Sequence, residues 1–119
     1  MNKEYEKLNT RLKEQMQTDL NFDIVVKPLL VQGVHMNLYF VDGFAKDEIL
    51  EKMMEFLLKA DLKNCVETQD VQTFCDSWLS YLEVDVQPDF AAMITSVLSG
   101  SVLLIVEGYT KGIVIDART

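Results

Sequence analysis

The only histidine of this chain is His35. An imidazole can act as a general base, but it needs a nucleophile to activate. No serine or cysteine is identifiable as that partner. The weakly alternating residues around His35 mark a strand, where a lone histidine is structural. The two cysteines, Cys65 and Cys75, stand at a spacing that matches no zinc or redox motif, and read as buried or half-buried reduced thiols. Glu83, Asp85 and Asp89 could together hold a hard cation. Glu83 and Asp85 are, however, the polar side of an alternating stretch, and the spacing lacks the Gly-centred ligand loop of an EF-hand. The stretch FVDGF, Phe40 to Phe44, could place a phosphate at a strand-to-helix turn, yet Asp42 would repel it. Met53, Met54 and Met93 read as core filler. These residues predict no catalytic, metal or cofactor site, and so a protein that is not an enzyme.

The totals narrow the partners. A chain of 119 residues is one domain by default, and 49% hydrophobic residues can build a core. A net charge of −8 disfavours nucleic acid and anionic membrane surfaces, which select Lys/Arg-rich faces. No apolar run reaches the roughly 18 residues of a membrane span. The charged start MNKEYEKLNTRLKEQ is no signal peptide, because it has no apolar centre.

The elements follow from periodicity. Tyr5, Leu8, Leu12, Met16 and Leu20 recur at three and four, which predicts an amphipathic helix over residues 1–20. Its narrow stripe can lie on the domain or on another chain, so Leu8, Leu12 and Met16 are candidate interface residues. Ile24, Val25 and Val26 begin a strand, and Pro28 places it at an edge. Gln32-Gly33 turns the chain into a second strand over residues 35–41. Ile49, Leu50, Met53, Met54, Leu57 and Leu58 mark a helix face. Residues 61–69 read as a polar loop. Val71, Phe74, Cys75, Trp78, Leu79 and Leu82 mark a further helix, capped by Asp70. Leu82, Val84 and Val86 alternate as a short strand, and Pro88 suits the first turn of the next helix. Phe90, Met93, Ile94, Val97 and Leu98 form that helix's inner face, and Gly100 its left-handed stop. A hairpin closes the sequence. The order is α-ββ-α-α-β-α-ββ, which predicts an α/β (α+β) fold: a mixed sheet of about five strands with helices packed on it.

One turn occurs twice, as VDGFAK and VEGYTK. Each apolar strand runs out to an acid and a glycine, Gly43 or Gly108, followed by Phe44 or Tyr109. Each glycine is expected at positive φ, and each aromatic is expected to fold back over the sheet end.

These stretches also carry a family resemblance. Leu98-Ser99-Gly100, Val106-Glu107-Gly108 and Ile115-Asp116-Ala117-Arg118 occur in the order seen in the soluble N-terminal domain of GerA-family spore germination proteins of the A-subunit type. YFVDGFAKDEIL resembles that family's earlier strand-turn-helix segment, and the likeness extends over residues 22–119. Within the family, FVDGFAKDE, YLEVDVQ and VEGYTKGIVIDAR resemble the stage V sporulation branch. The resemblance implies a chain that continues through a second soluble lobe into a membrane-embedded region, which makes residues 21–119 one lobe of a larger domain. It implies a location at the spore inner membrane, with this domain on the cytoplasmic, spore-core side. It implies partners in other copies of the chain and other germination-complex subunits, and a regulatory or assembly role in an ion-releasing complex. The alternative is a domain that senses a germinant or other small effector in a cleft beside the missing lobe.

Overall fold

The computed structural model describes residues 3–17, 23–79 and 82–116. Leu20, the end of the expected first helix, and Ala117-Arg118 of the closing motif lie outside them.

Helix α1 spans Lys3–Met16, followed by strands β1 (Ile24–Val31) and β2 (Val34–Val41). Three helices come next: α2 (Asp47–Lys59), α3 (Leu62–Thr68) and α4 (Val71–Trp78). Strand β3 (Val84–Gln87), helix α5 (Phe90–Leu98) and strands β4 (Val102–Val106) and β5 (Gly112–Ile115) complete the chain. The sheet has five strands in the order β1-β2-β4-β5-β3. Every pairing in it is antiparallel, so the sheet is not mixed. The expected parallel neighbours do not meet. Strands β3 and β4 run parallel across helix α5, but β5 inserts between them and pairs with both.

Central strand β4 is buried along its whole length. Its two faces look into two separate cores. Val102, Leu104 and Val106 join the core under α2, α3 and α4, while Leu103 and Ile105 join the core under α1 and α5. Alternation along a strand thus assigns each residue to one helical layer or the other.

Local chemistry sets the element ends. Gln32 and Gly33 have φ of 54° and 82°, the two-residue turn whose twist suits a hairpin. The Val31↔Val34 pair that flanks this turn exchanges hydrogen bonds, and alternate pairs do so along the ladder. Pro28↔Asn37 falls on a non-bonded pair, so Pro28 breaks no ladder bond. It removes a donor from the exposed outer edge of β1 instead. At the end of α5, Gly100 has φ of 101°, its N–H reaches Val97 O, and the Ser101 N–H reaches Ser96 O. That pair of bonds is the Schellman stop. Asp89, not Pro88, opens α5: its carboxylate accepts from Ala92 N at 2.9 Å.

The stretch expected as a loop is helix α3. Its inward positions are apolar, with Leu62 and Cys65 buried. Its first residue is held from outside. The Gln32 side chain accepts from Leu62 N at 3.1 Å and donates to Leu58 O at 3.1 Å, so the hairpin turn grips both α2 and α3. Asp70 caps α4 at 2.7 Å. Two residues assigned to inner helix faces point outward: Leu58 and Leu98 are more than half exposed, at 59% and 55%.

The repeated turn has the same backbone and different surroundings. Gly43 and Gly108 have φ of 86° and 105°. Tyr109 folds onto the core, sets its ring tilted at 48° and 5.8 Å from that of Phe74, and donates from its hydroxyl to Cys65 O at 3.1 Å. Phe44 does not fold back and is half exposed. Helix α3 stands behind the second turn and supplies an acceptor there. Nothing lies within 4 Å of a Cβ placed at Gly43, whereas at Gly108 it would meet Val66 Cγ1 at 2.0 Å.

The two glycines should therefore differ when replaced. Gly43→Ala carries only the backbone strain, about 1 kcal/mol. Gly108→Ala adds overpacking against α3, on the order of a further 1–3 kcal/mol. Urea melts of both variants check this, with Gly108→Ala/Val66→Ala expected to recover the second part. Equal losses for the two single variants would overturn the packing argument.

Candidate functional site

The residues with reactive side chains are mostly occupied by structure. Cys65 and Cys75 are free and buried on adjacent helices. Burial pushes the Cys75 thiol up to about 12, so its thiolate is scarce at neutral pH. Glu83 and Asp85 are exposed beside and along edge strand β3, and Asp89 is tied up as the α5 cap. Among the described residues, no group of three His, Cys, Asp or Glu could hold a metal ion. His35 is half-buried on β2 and faces the space beneath α1, where neither cysteine comes near it.

That space is a groove. The apolar stripe of α1 packs on this chain's own sheet: Tyr5, Leu12 and Met16 are buried and Leu8 is half-buried. The candidate interface of Leu8, Leu12 and Met16 is thus covered from within. A buried polar chain fixes the helix there. The Tyr39 hydroxyl donates to Asn9 Oδ1, and Asn9 Nδ2 donates to Tyr5 O at 2.8 Å. Burial raises the Tyr39 phenol well above its ordinary value and lifts Tyr5 to about 12, with the Glu107 charge adding to the latter. Beside this anchor a polar groove of about 430 Å³ opens between α1 and the hairpin. Glu6 and Lys13 flank it from the helix, and His35 and Asn37 from the sheet.

A second groove lies on the opposite face, between α2 and the β1–β2 hairpin, with a volume of about 540 Å³. Its sheet side is Leu29, Leu38 and Phe40, with Lys27 at the wall. Its helix side carries two parallel ridges at i, i+4 and i+8: Leu50, Met54 and Leu58, and beside them Asp47, Glu51 and Glu55. Periodicity alone assigns Leu50, Met54 and Leu58 to the core. Met53 and Leu57 are the fully buried residues of α2; Leu50 and Met54 are half-buried against the same core at the groove's edge, and only Leu58 of that ridge is exposed. Met53 and Met93 are core filler, and Met54 is half-buried against the same core as Met53 while also lining the groove. The signal available in sequence was the width of the apolar face, which exceeds what one core contact needs.

Over residues 10–119 the sequence matches the family described as Bacillus/Clostridium GerA spore germination protein. This chain belongs to the GerA spore germination family. The match spans the second half of α1, the whole sheet and the remaining helices. The fold of this GerA-family chain is similar to a crystal structure of the N-terminal domain of the A subunit of the Bacillus megaterium spore germinant receptor GerK3. The TM-score is 0.66 at 13% identity, and the overlap covers 95% of this chain and 91% of that one. At that identity the likeness speaks for the fold. No curated protein sequence matches this chain. Among the described residues, no helix is long and apolar enough to cross a membrane.

Alkaline melting tests the buried anchor. In the unfolded chain the phenols titrate near 10.0 and the thiol near 9.0, whereas folding holds Tyr5, Tyr109 and Cys75 protonated to about 12. Stability is then complete below about pH 9. It falls between pH 9 and 12, as the unfolded chain releases protons that the folded one keeps. Tyr39→Phe should flatten that fall by removing one such group. At neutral pH it should lower stability by about 1–3 kcal/mol, because Asn9 Oδ1 loses its donor. Urea melts from pH 7 to 11 read both effects, and an unchanged slope would contradict the assignment.

Proposed function

We propose that this chain is a non-enzymatic regulatory or assembly domain of a spore germination membrane protein, coupling subunits or a germinant signal to an ion-releasing complex. The observation that carries the reading is the family match over residues 10–119, which takes in nearly all of the fold. Two features support it. The reactive side chains serve as caps, core and anchors, and an apolar groove is left open on one face. The partners would be other copies of the chain and other germination-complex subunits. The domain would sit on the cytoplasmic, core side of the spore inner membrane and be held there by a region outside these residues. Two free buried thiols suit a reducing compartment.

The polar groove beneath α1 favours one second reading, a domain that senses a small molecule. Charged and neutral polar groups converge there: Glu6, Lys13, His35 and Asn37. Thermal melting separates the two. A sensor gains melting temperature with one specific compound by mass action, and an assembly domain does not.

The role itself is tested in spores. Deleting the gene should slow ion release after nutrient addition. The full-length protein should co-purify with other germination subunits from detergent-solubilised spore membranes. Normal release together with no membrane partner would overturn the proposal.

A further inference from the structure

We infer that the groove between α2 and the β1–β2 hairpin is a docking site for a short amphipathic helix with an apolar stripe and a Lys/Arg-rich flank. The inference rests on the assembly reading and names the chemistry of its partner. Three observations lead to it. The groove wall is helical and repeats at one-turn intervals. Leu50, Met54 and Leu58 therefore form a ridge of about 12 Å, which the i, i+4 ridge of a second helix can match. Leu58, at the end of that ridge, is 59% exposed, while Leu50 and Met54 rest half-buried against the core and present their remaining surface to the groove. Asp47, Glu51 and Glu55 run alongside at the same pitch, against a single opposing cation, Lys27. A partner that fills the apolar ridge brings its flank against three carboxylates, and only a basic flank is complementary there.

Other occupants fit less well. Strand addition at the outer edge of β1 meets Pro28, which has no N–H to give and interrupts the ladder midway. A second copy related by a two-fold axis through this groove sets the acidic ridge against its own equivalent. The α1 helix of another copy carries the basic residues Lys3, Lys7 and Arg11 at i, i+4 and i+8. Its apolar stripe, however, is already buried on its own sheet. The partner is thus a different helix, of the basic amphipathic class.

The test uses a fluorescein-labelled peptide of about 18 residues built from Leu, Ala and Lys, with Leu at i, i+4, i+7 and i+11 and Lys along one flank. A second peptide has Glu in place of each Lys. Binding to the 119-residue chain is read by fluorescence anisotropy. The Lys peptide should bind, and salt should weaken it. Glu51→Lys/Glu55→Lys should reduce its affinity by about tenfold or more and allow the Glu peptide to bind. Leu58→Lys should weaken the Lys peptide by removing an apolar contact and adding a like charge. Glu83→Lys/Asp85→Lys, on the opposite sheet edge, makes the same charge change and should leave the Glu peptide unbound, with the Lys peptide affected far less than by the groove pair. All five positions are solvent-exposed, and a thermal melt of each variant confirms folding. Equal binding of the two peptides would overturn the inference. So would equal effects of the two charge-reversed pairs, no binding at all, or a dimer in sedimentation that Leu58→Lys dissolves. The role in germination is read separately in spores, so peptide binding can fail while the spore phenotype stands, and the reverse.

Discussion

Five consecutive buried residues in β4 govern this molecule. A strand whose successive side chains point to opposite faces can be buried throughout only if both faces are covered. One helical layer would leave Leu103 and Ile105, or else Val102, Leu104 and Val106, in water. The chain therefore supplies α1 and α5 on one side and α2, α3 and α4 on the other. The neighbours of β4 share this constraint and show it by position. Strand β2 is next to the centre and mostly buried, whereas β1 and β3, at the edges, carry exposed residues.

Much of this was legible from residues alone, for local reasons. The hairpin turn at Gln32-Gly33, the stop at Gly100 and the cap at Asp70 each follow from what one or two side chains do to the nearby backbone. The edge position of β1 followed from Pro28. Strand direction in the sheet was not legible, because β5 folds back from β4 and takes the place beside β4 that β3 would otherwise fill. Helix α3 was hidden because its exposed residues are polar and its holding contacts come from Gln32, about thirty residues earlier. Leu58 and Leu98 were misplaced because periodicity reports a face and not the width of what covers it.

The candidate site was harder to read than the fold for a related reason. Side chains that could do chemistry do structural work here: Asp61, Asp70 and Asp89 cap helices, and Tyr39 with Asn9 holds α1. The apolar groove is lined on α2 by ordinary leucines, a methionine and acidic residues. Its character depends on which apolar ridge the sheet leaves bare, and that is a property of packing. The family match accounts for the fold and for a place in spore germination; the geometry of α2 was visible only in three dimensions.

The grip of Gln32 has a consequence for that surface. Helix α2 is joined to β2 through residues 42–46 at one end of the groove. At the other end, Leu58 O is bound to the Gln32 side chain at the hairpin tip. The helix is therefore moored to the same hairpin at bow and stern. Swinging it away from the sheet strips that hydrogen bond and exposes Met53 and Leu57 to water. The gap between them thus keeps a set width in the empty protein. A fixed width gives up little freedom when it is filled and admits few shapes. Selectivity in such a gap comes from rejection of helices that are too bulky or wrongly charged, with no adaptive closure to accommodate them.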